Sequence, residues 1–154
     1  MTNISPLPRI ALYQPDIAGN TGTILRTAAC LGFNVDIIEP AGFDITDRNL
    51  KRAGMDYLEM AALTRHIDWD AFSATLTNRR LVIASTKAAQ NYAKFEFGDT
   101  DTLLFGRESA GLPDHIHKFA NVAIIIPMQP GARSLNLAVS VAMIAGEARR
   151  QLMT

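Results

Sequence analysis

Cysteine is nearly absent, with Cys30 the single example. One thiol closes no internal disulfide, so the fold rests on its core, and Cys30, set in an apolar helical pattern, reads as a buried structural residue. Neither sign of charge is in excess, since fifteen Lys and Arg balance fifteen Asp and Glu. No global basic field draws nucleic acid, and any basic surface has to be local. Long hydrophobic runs are missing too: none approaches the roughly 20 residues that span a bilayer. The opening Met-Thr-Asn-Ile-Ser-Pro-Leu-Pro-Arg lacks the charged and apolar regions of a signal peptide, so a cytoplasmic protein is expected. There is no aromatic-interleaved RNA-binding signature of the RRM kind. With no repeat, linker or low-complexity segment, residues 1–154 are expected to form a single domain.

What is there is a globular composition, 48% hydrophobic against 19% charged, which excludes extensive disorder. Arg9–Tyr13 is a short apolar strand. The loop Gln14–Asn20 follows, then a helix over Gly22–Leu31 with Asn20 or Thr21 as its cap and Gly32 as its stop. Ile24, Leu25, Ala28, Ala29 and Leu31 form its apolar stripe. Val35–Ile38 is the next strand, and this strand–helix–strand unit implies a parallel sheet with right-handed crossovers. Thr46–Gly54 reads as a short basic helix and Met60–Thr64 as an edge strand. Asp68 or Asp70 caps a helix containing Trp69, Phe72 and Leu76. Arg80–Ser85 and Thr102–Phe105 are strands, and Pro113 opens a short helix ending near Phe119.

The last segment is the most telling. Val122–Ile126, closed by Pro127, suits a strand buried on both faces. Pro130 and Gly131 mark a turn, and Ser134 stands where a cap belongs, before an apolar helix over Leu135–Gly146. Only Asn136 and Ser140 are strongly polar there. Such a helix buries more than one face: one covers the chain's own sheet, and the other calls for a second subunit or a ligand. The fold class is α/β, a mostly parallel sheet flanked by helices.

In an open parallel sheet, ligands collect at the loops after the carboxyl ends of strands. Four such loops are rich in glycine or small polar residues: Pro15–Gly22, Ser85–Gln90, Gly106–Pro113 and Met128–Asn136. Familiar motifs fail on them. Gly106 and Gly111 have Walker-like spacing, but Leu112-Pro113 replaces the Lys-Ser/Thr that holds phosphate and magnesium. Gly19 and Gly22 lack the dinucleotide fingerprint. Ser109 is not framed as a nucleophile elbow. His115 and His117 flank no ligand cluster, so no metal is expected.

Three pieces stand out together: Asn20-x-Gly22-x-x-x-Arg26, Phe105-Gly106-Arg-Glu108-x-x-Gly111-Leu112-Pro113, and Ile126-Pro127-Met128 with Ser134-Leu135-Asn136-Leu137. In order and at suitable spacing, they resemble the three motifs of the SPOUT-class RNA ribose 2'-O-methyltransferases. Tyr13-Gln-Pro, Arg52-Ala-Gly-Met-Asp-Tyr57 and Thr64-Arg-His66 extend the likeness to the minimal TrmL/YibK-like branch, which methylates the wobble nucleotide 34 of tRNA. Arg107, where relatives often carry Pro, and Ala110, where a larger or charged residue is frequent, depart from the pattern and bear on substrate choice.

The resemblance implies a C-terminal deep trefoil knot and S-adenosyl-L-methionine as cofactor. Its site would draw on Ala84, Gly106, Glu108, Gly111, Ile126, Met128, Ser134 and Leu135. It implies a homodimer through the first and last helices, and tRNA as partner through the anticodon stem-loop, at C34 or U34 of certain leucine isoacceptors. Asn20, Arg26, Glu108, Ser134 and Asn136 match the polar motif positions expected around the reaction. Arginine keeps its proton in almost any setting, so Arg26 suits phosphate binding or stabilisation of a developing alkoxide. Glu108 is either a proton acceptor or a cofactor-positioning group. Taken alone, Asn20 and Ser134 read equally as helix caps, and Arg26 as a solvated helix residue. Arg48, Lys51, Arg52, Arg65, His66 and Arg133 are either a local RNA surface or an ordinary charged face. The rival functions are the same chemistry at another tRNA or rRNA position, and a non-catalytic RNA-binding module.

Overall fold

The computed structural model describes residues 7–52 and 63–153. Residues 53–62, which hold most of the Arg52–Tyr57 motif and the start of the expected edge strand, lie outside them. In chain order the elements are β1 (Arg9–Tyr13), α1 (Ala18–Leu31), β2 (Val35–Ile38), α2 (Asp47–Arg52), β3 (Leu63–His66) and α3 (Trp69–Ser73), which ends in a 3-10 turn. Then come β4 (Leu81–Ala84), β5 (Gln90–Asn91), β6 (Thr102–Phe105), α4 (Asp114–Phe119), β7 (Val122–Ile125) and α5 (Leu137–Leu152).

The strands form one sheet in the order β3-β2-β1-β6-β4-β7-β5, and every pairing is parallel. Alternation along the central strands divides the core into two layers. Ile10, Leu12, Val82, Leu103, Phe105 and Ile124 pack on the side of α1 and α5. Ala11, Leu81, Ile83 and Leu104 pack on the other side, with Phe72 of α3 and Ile116 of α4.

Several boundaries depart from expectation. Helix α1 starts at Ala18, four residues early, with Ile17 at its cap position and no side-chain cap. Gly32 does stop it, at φ 88°, a left-handed conformation suited to glycine. Cys30 is exposed, and so is Ala29. The buried positions are Thr21, Gly22, Ile24, Leu25 and Ala28, and Cys30 falls two residues past that stripe, on the face turned from the sheet. Strand β7 lies between β4 and β5, yet of its residues only Ile124 is fully buried. The expectation of burial on both faces fails: Ile125 at its carboxyl end opens onto a cavity, and Val122 and Ala123 are only half-buried. Asp68, not Asp70, caps α3, accepting from the Ala71 amide.

At the final helix the cap moves two residues. Asn136, not Ser134, stands at the N-cap, and its Oδ1 accepts from the amides of Ala138 at 2.8 Å and Val139 at 3.3 Å. The helix then runs six residues beyond Gly146 to Leu152. Val141, Ile144, Ala145 and Ala148 are buried, whereas Val139 and Met143 stay 46% and 36% exposed. The apolar surplus read from the sequence is therefore a real surface on this chain.

Candidate active site

The carboxyl ends of β4, β6 and β7 open onto a cavity of about 620 Å³, within the range of small-molecule sites. Its walls come from segments far apart in sequence. Phe105 leads into Gly106–Leu112, Ala84 into Ser85–Lys87, and Ile124–Ile126 into Met128. The stretch Arg133–Leu137 closes one side, and Ile17 and Asn20 of the first motif reach it across the sheet.

Sterics dictate the turn after β6. A Cβ on Gly106 would lie 2.5 Å from the carbonyl carbon of Gly111, so only glycine permits the approach. The turn is closed by Arg107 N–H donating to Gly111 O at 3.2 Å and Gly111 N–H donating to Arg107 O at 2.9 Å. Gly111 adopts φ +65°, again a glycine conformation. Glu108 and Ser109 sit at the tip of this turn. Glu108 Oε2 accepts from the Asp16 amide at 3.0 Å, and the Ser109 hydroxyl donates to Asp16 Oδ2. Burial foremost, then its hydrogen bond with Asp16, raises the Glu108 carboxyl above its ordinary value. Hydrogen bonds from Glu108 and then Ser109 hold Asp16 down to about 2.

Across the cavity, Asn136 Nδ2 donates to Asn20 Oδ1 at 3.1 Å. This bond joins the first motif to the last over 116 residues of chain. Because Asn136 also caps α5, its side chain has both ends engaged. Ser134 and Leu135 remain in the exposed loop before it and line the cavity.

Every residue expected at the cofactor site, Ala84, Gly106, Glu108, Gly111, Ile126, Met128, Ser134 and Leu135, lines this one cavity. So do Asn20 and Asn136. Arg26 does not: it is exposed on α1, on a different face from Asn20. The expected basic surface is only partly assembled. Arg65 is paired with Glu39 at 2.7 Å. His66 is turned inward, edge-on to Phe72 and with Nε2 3.3 Å from Asp36 Oδ1, so it leaves the set. Arg48, Lys51, Arg52 and Arg133 are exposed, and Arg133 is at the cavity. Sequence reasoning missed Asp16, whose loop was flagged but whose partner stands 92 residues away, and Lys87 and His117 on the cavity wall. No group of three His, Cys, Asp or Glu among the described residues suits a metal ion.

Residues 8–146 match the SpoU rRNA Methylase family. The chain belongs to that family. It is 55% identical over 145 residues to the tRNA (cytidine(34)-2'-O)-methyltransferase of Beijerinckia indica, covering 93% of this chain and 91% of the relative. To the protein of the same description from Escherichia coli K12 it is 44% identical, covering 93% and 92%. A solved structure concerned with 2-OH methylation of C/U34 on tRNA superposes with a TM-score of 0.89 at 39% identity, covering 97% of this chain and 92% of that one. The SpoU methyltransferase AviRb from Streptomyces viridochromogenes, in complex with the cofactor AdoMet, gives 0.77 at 27% identity, covering 98% of this chain and 59% of that one.

The cavity suits an adenosine-bearing cofactor on its own features. Ile124, Ile126 and Leu137 give it an apolar wall, and the Gly106–Gly111 turn, where a Cβ would clash, lets backbone approach a ligand closely. Among the described residues no helix is long and apolar enough to cross a membrane.

Proposed function

We infer that this chain transfers a methyl group from S-adenosyl-L-methionine to the ribose 2'-hydroxyl of nucleotide 34 of a tRNA, C34 or U34, acting in the cytoplasm on the anticodon stem-loop. The carrying observation is the Asn20–Asn136 hydrogen bond, which joins the first and third motifs at the rim of a cavity walled by the second. When bound, the cofactor supplies an activated methyl on sulfur, so the protein's work is to bind, orient and bear charge. The Gly106–Gly111 turn, Ala84, Ile126, Met128 and Leu135 form the binding wall. With its oxygen occupied by Asn136, Asn20 offers its amide nitrogen as a donor to a substrate oxygen. Ser134, on the exposed loop beside them, is a second hydroxyl at the same rim. Glu108, fixed by the Asp16 amide, takes the cofactor-positioning role.

Arg26 is assigned to phosphate binding or to the developing alkoxide. Because it stands away from its own chain's cavity, that role belongs to a homodimer in which α1 of one protomer faces the site of the other. Ile17, Leu135, Val139 and Met143, between 36% and 48% exposed, supply the apolar surface such a dimer would cover. The position of β7 between β4 and β5 supports the trefoil knot expected from the resemblance.

The test is incubation with labelled S-adenosyl-L-methionine and total RNA, followed by mapping of the labelled nucleotide. Label at position 34 of tRNA is expected. Label confined to ribosomal RNA or another tRNA position overturns the wobble assignment, and cofactor binding without transfer overturns the enzymatic reading.

A further inference from the structure

The loops after β1 and β6 are tied by more than the Asp16 amide bond that fixes Glu108. Asp16 Oδ1 and Glu108 Oε1 are both buried and, among the described residues, without an ordinary hydrogen-bond donor. Their other oxygens are well served: Glu108 Oε2 by the Asp16 amide, and Asp16 Oδ2 by the Ser109 hydroxyl and by Arg107 Nη2 at 3.7 Å. A buried carboxylate oxygen without a donor is costly, and two neighbouring ones repel. One proton held between them removes both costs. Gly42 closes the cluster from a third side. A Cβ there would lie 2.7 Å from Asp16 Cβ, and its N–H donates to Pro15 O at 2.8 Å.

We propose that Asp16 is a positioning residue, which holds the Gly106–Gly111 wall of the cavity against the start of α1 by sharing one proton between its Oδ1 and Glu108 Oε1. Asp16 keeps the negative charge that Arg107 faces, and Glu108 carries the proton. This agrees with the direction in which each carboxyl is moved. The sign follows. Glu108, raised in the folded state, favours the closed clamp below its own midpoint, and that contribution is lost as the pH rises through it. Above it both carboxylates are charged, and only Arg107, Ser109 and the backbone amide hold the loops together. The other charged or titratable groups around the cavity are Lys87 after β4, His117 on α4 and Arg133 before α5.

The proposal rests on the methyl-transfer reading for one of its two readouts, cofactor affinity. That affinity is measured on the full chain by calorimetry with S-adenosyl-L-methionine from about pH 5 to 8.5, for wild type, Asp16→Ala and Asp16→Asn. The second readout is hydrogen exchange at the amides of residues 106–112, which needs no cofactor. Asp16→Ala is expected to weaken cofactor binding about tenfold at neutral pH by releasing the wall, and to speed exchange at Arg107 and Gly111. Asp16→Asn, lacking the like charge, recovers part of the affinity and moves the Glu108 step to lower pH. A step that keeps its midpoint in Asp16→Asn, or unchanged exchange in both variants, overturns the proposal. If wild type binds no S-adenosyl-L-methionine, the methyl-transfer reading fails, while exchange still decides the clamp. Should Asp16→Ala not fold, Asp16→Asn carries both readouts.

Discussion

The two ends of the sheet are built on opposite plans. At the amino ends of β4 and β6, a buried carboxylate is fully answered. Asp101, 2% exposed, accepts from Arg80 Nε and Nη2, both at 2.7 Å, and from the Gly98 amide at 2.7 Å. Arg80 stacks over Phe95 at 4.8 Å, and Arg79 reaches Thr102 Oγ1 and the Asp101 carbonyl. At the carboxyl ends, buried polar atoms are left over: Asp16 Oδ1, Thr21 Oγ1, Arg107 Nε and Glu108 Oε1. A satisfied network specifies and stabilises, whereas Arg107 and Glu108, which line the cavity, stand in a cluster whose polar atoms are only partly answered within the fold. The same strands therefore carry a stability end and a chemistry end.

Asp101→Ala breaks the comparison at its firmer end. It strands the Arg80 guanidinium and the Gly98 amide together, and should cost about 3 kcal/mol of unfolding free energy, the lower part of the range for a broken buried pair because Arg80 is partly exposed. Denaturant unfolding checks this. Cofactor affinity of the folded fraction should be unchanged; a large loss would show that the ends are coupled rather than separate.

Gly106→Ala acts at the other end. The added Cβ meets Gly111 backbone at 2.5 Å, so the turn must open. Cofactor affinity is expected to fall by at least about tenfold, with a smaller loss of stability than Asp101→Ala, as calorimetry and thermal melts on the same samples will show. Equal damage to stability would erase the distinction between the ends.

How far these ends were legible depends on the distance over which each feature is decided. β1, β2 and β6 lie where their apolar runs put them, because strand burial is written in consecutive residues. Helix starts are decided by tertiary contacts. α1 begins at Ala18 and runs through Gly19 and Asn20, residues that read as loop, with no side-chain cap to announce it. Ser134 and Asn136 are both good caps by type, and the choice fell to the one that also bonds Asn20. The cavity wall was legible through the resemblance that the three motifs carry, not through periodicity or spacing alone. Asp16 opposite Glu108, and His66 turned onto Asp36, were not, since nothing local states which distant residue a loop will face.

Asn136→Ala separates capping from site geometry. Loss of the cap should cost about 1 kcal/mol of stability, visible in thermal melts. Loss of the Asn20 contact should lower methyl transfer beyond what that destabilisation explains. Asn136→Asp sharpens the point, because its carboxylate still caps the helix but has no N–H to donate to Asn20. Recovery of stability without recovery of transfer is expected, and recovery of both would reduce Asn136 to a cap.

The smallest effect is expected from an ion pair at the firm end whose basic partner is exposed. Glu147 is held at about 2 by its hydrogen bonds with Arg150 and Gln151, with Arg150 Nε 2.7 Å from Glu147 Oε1, as short as the bonds around Asp101. Distance alone would rank the two pairs together. Water solvates the Arg150 side chain, which is 66% exposed, while Glu147, 14% exposed, keeps the hydrogen bond from Gln151 Nε2 at 3.0 Å when Arg150 is removed, so the net contribution of the pair is small. A depressed carboxylate contributes above its unfolded value and loses that contribution as the pH falls toward 2. Arg150→Ala should therefore leave the melting temperature at neutral pH within about 1 °C of wild type, while an NMR titration finds Glu147 moved back toward the ordinary carboxylate range. A melting shift comparable to that of Asp101→Ala would mean that hydrogen-bond geometry, and not burial, is what makes the amino end of the sheet firm.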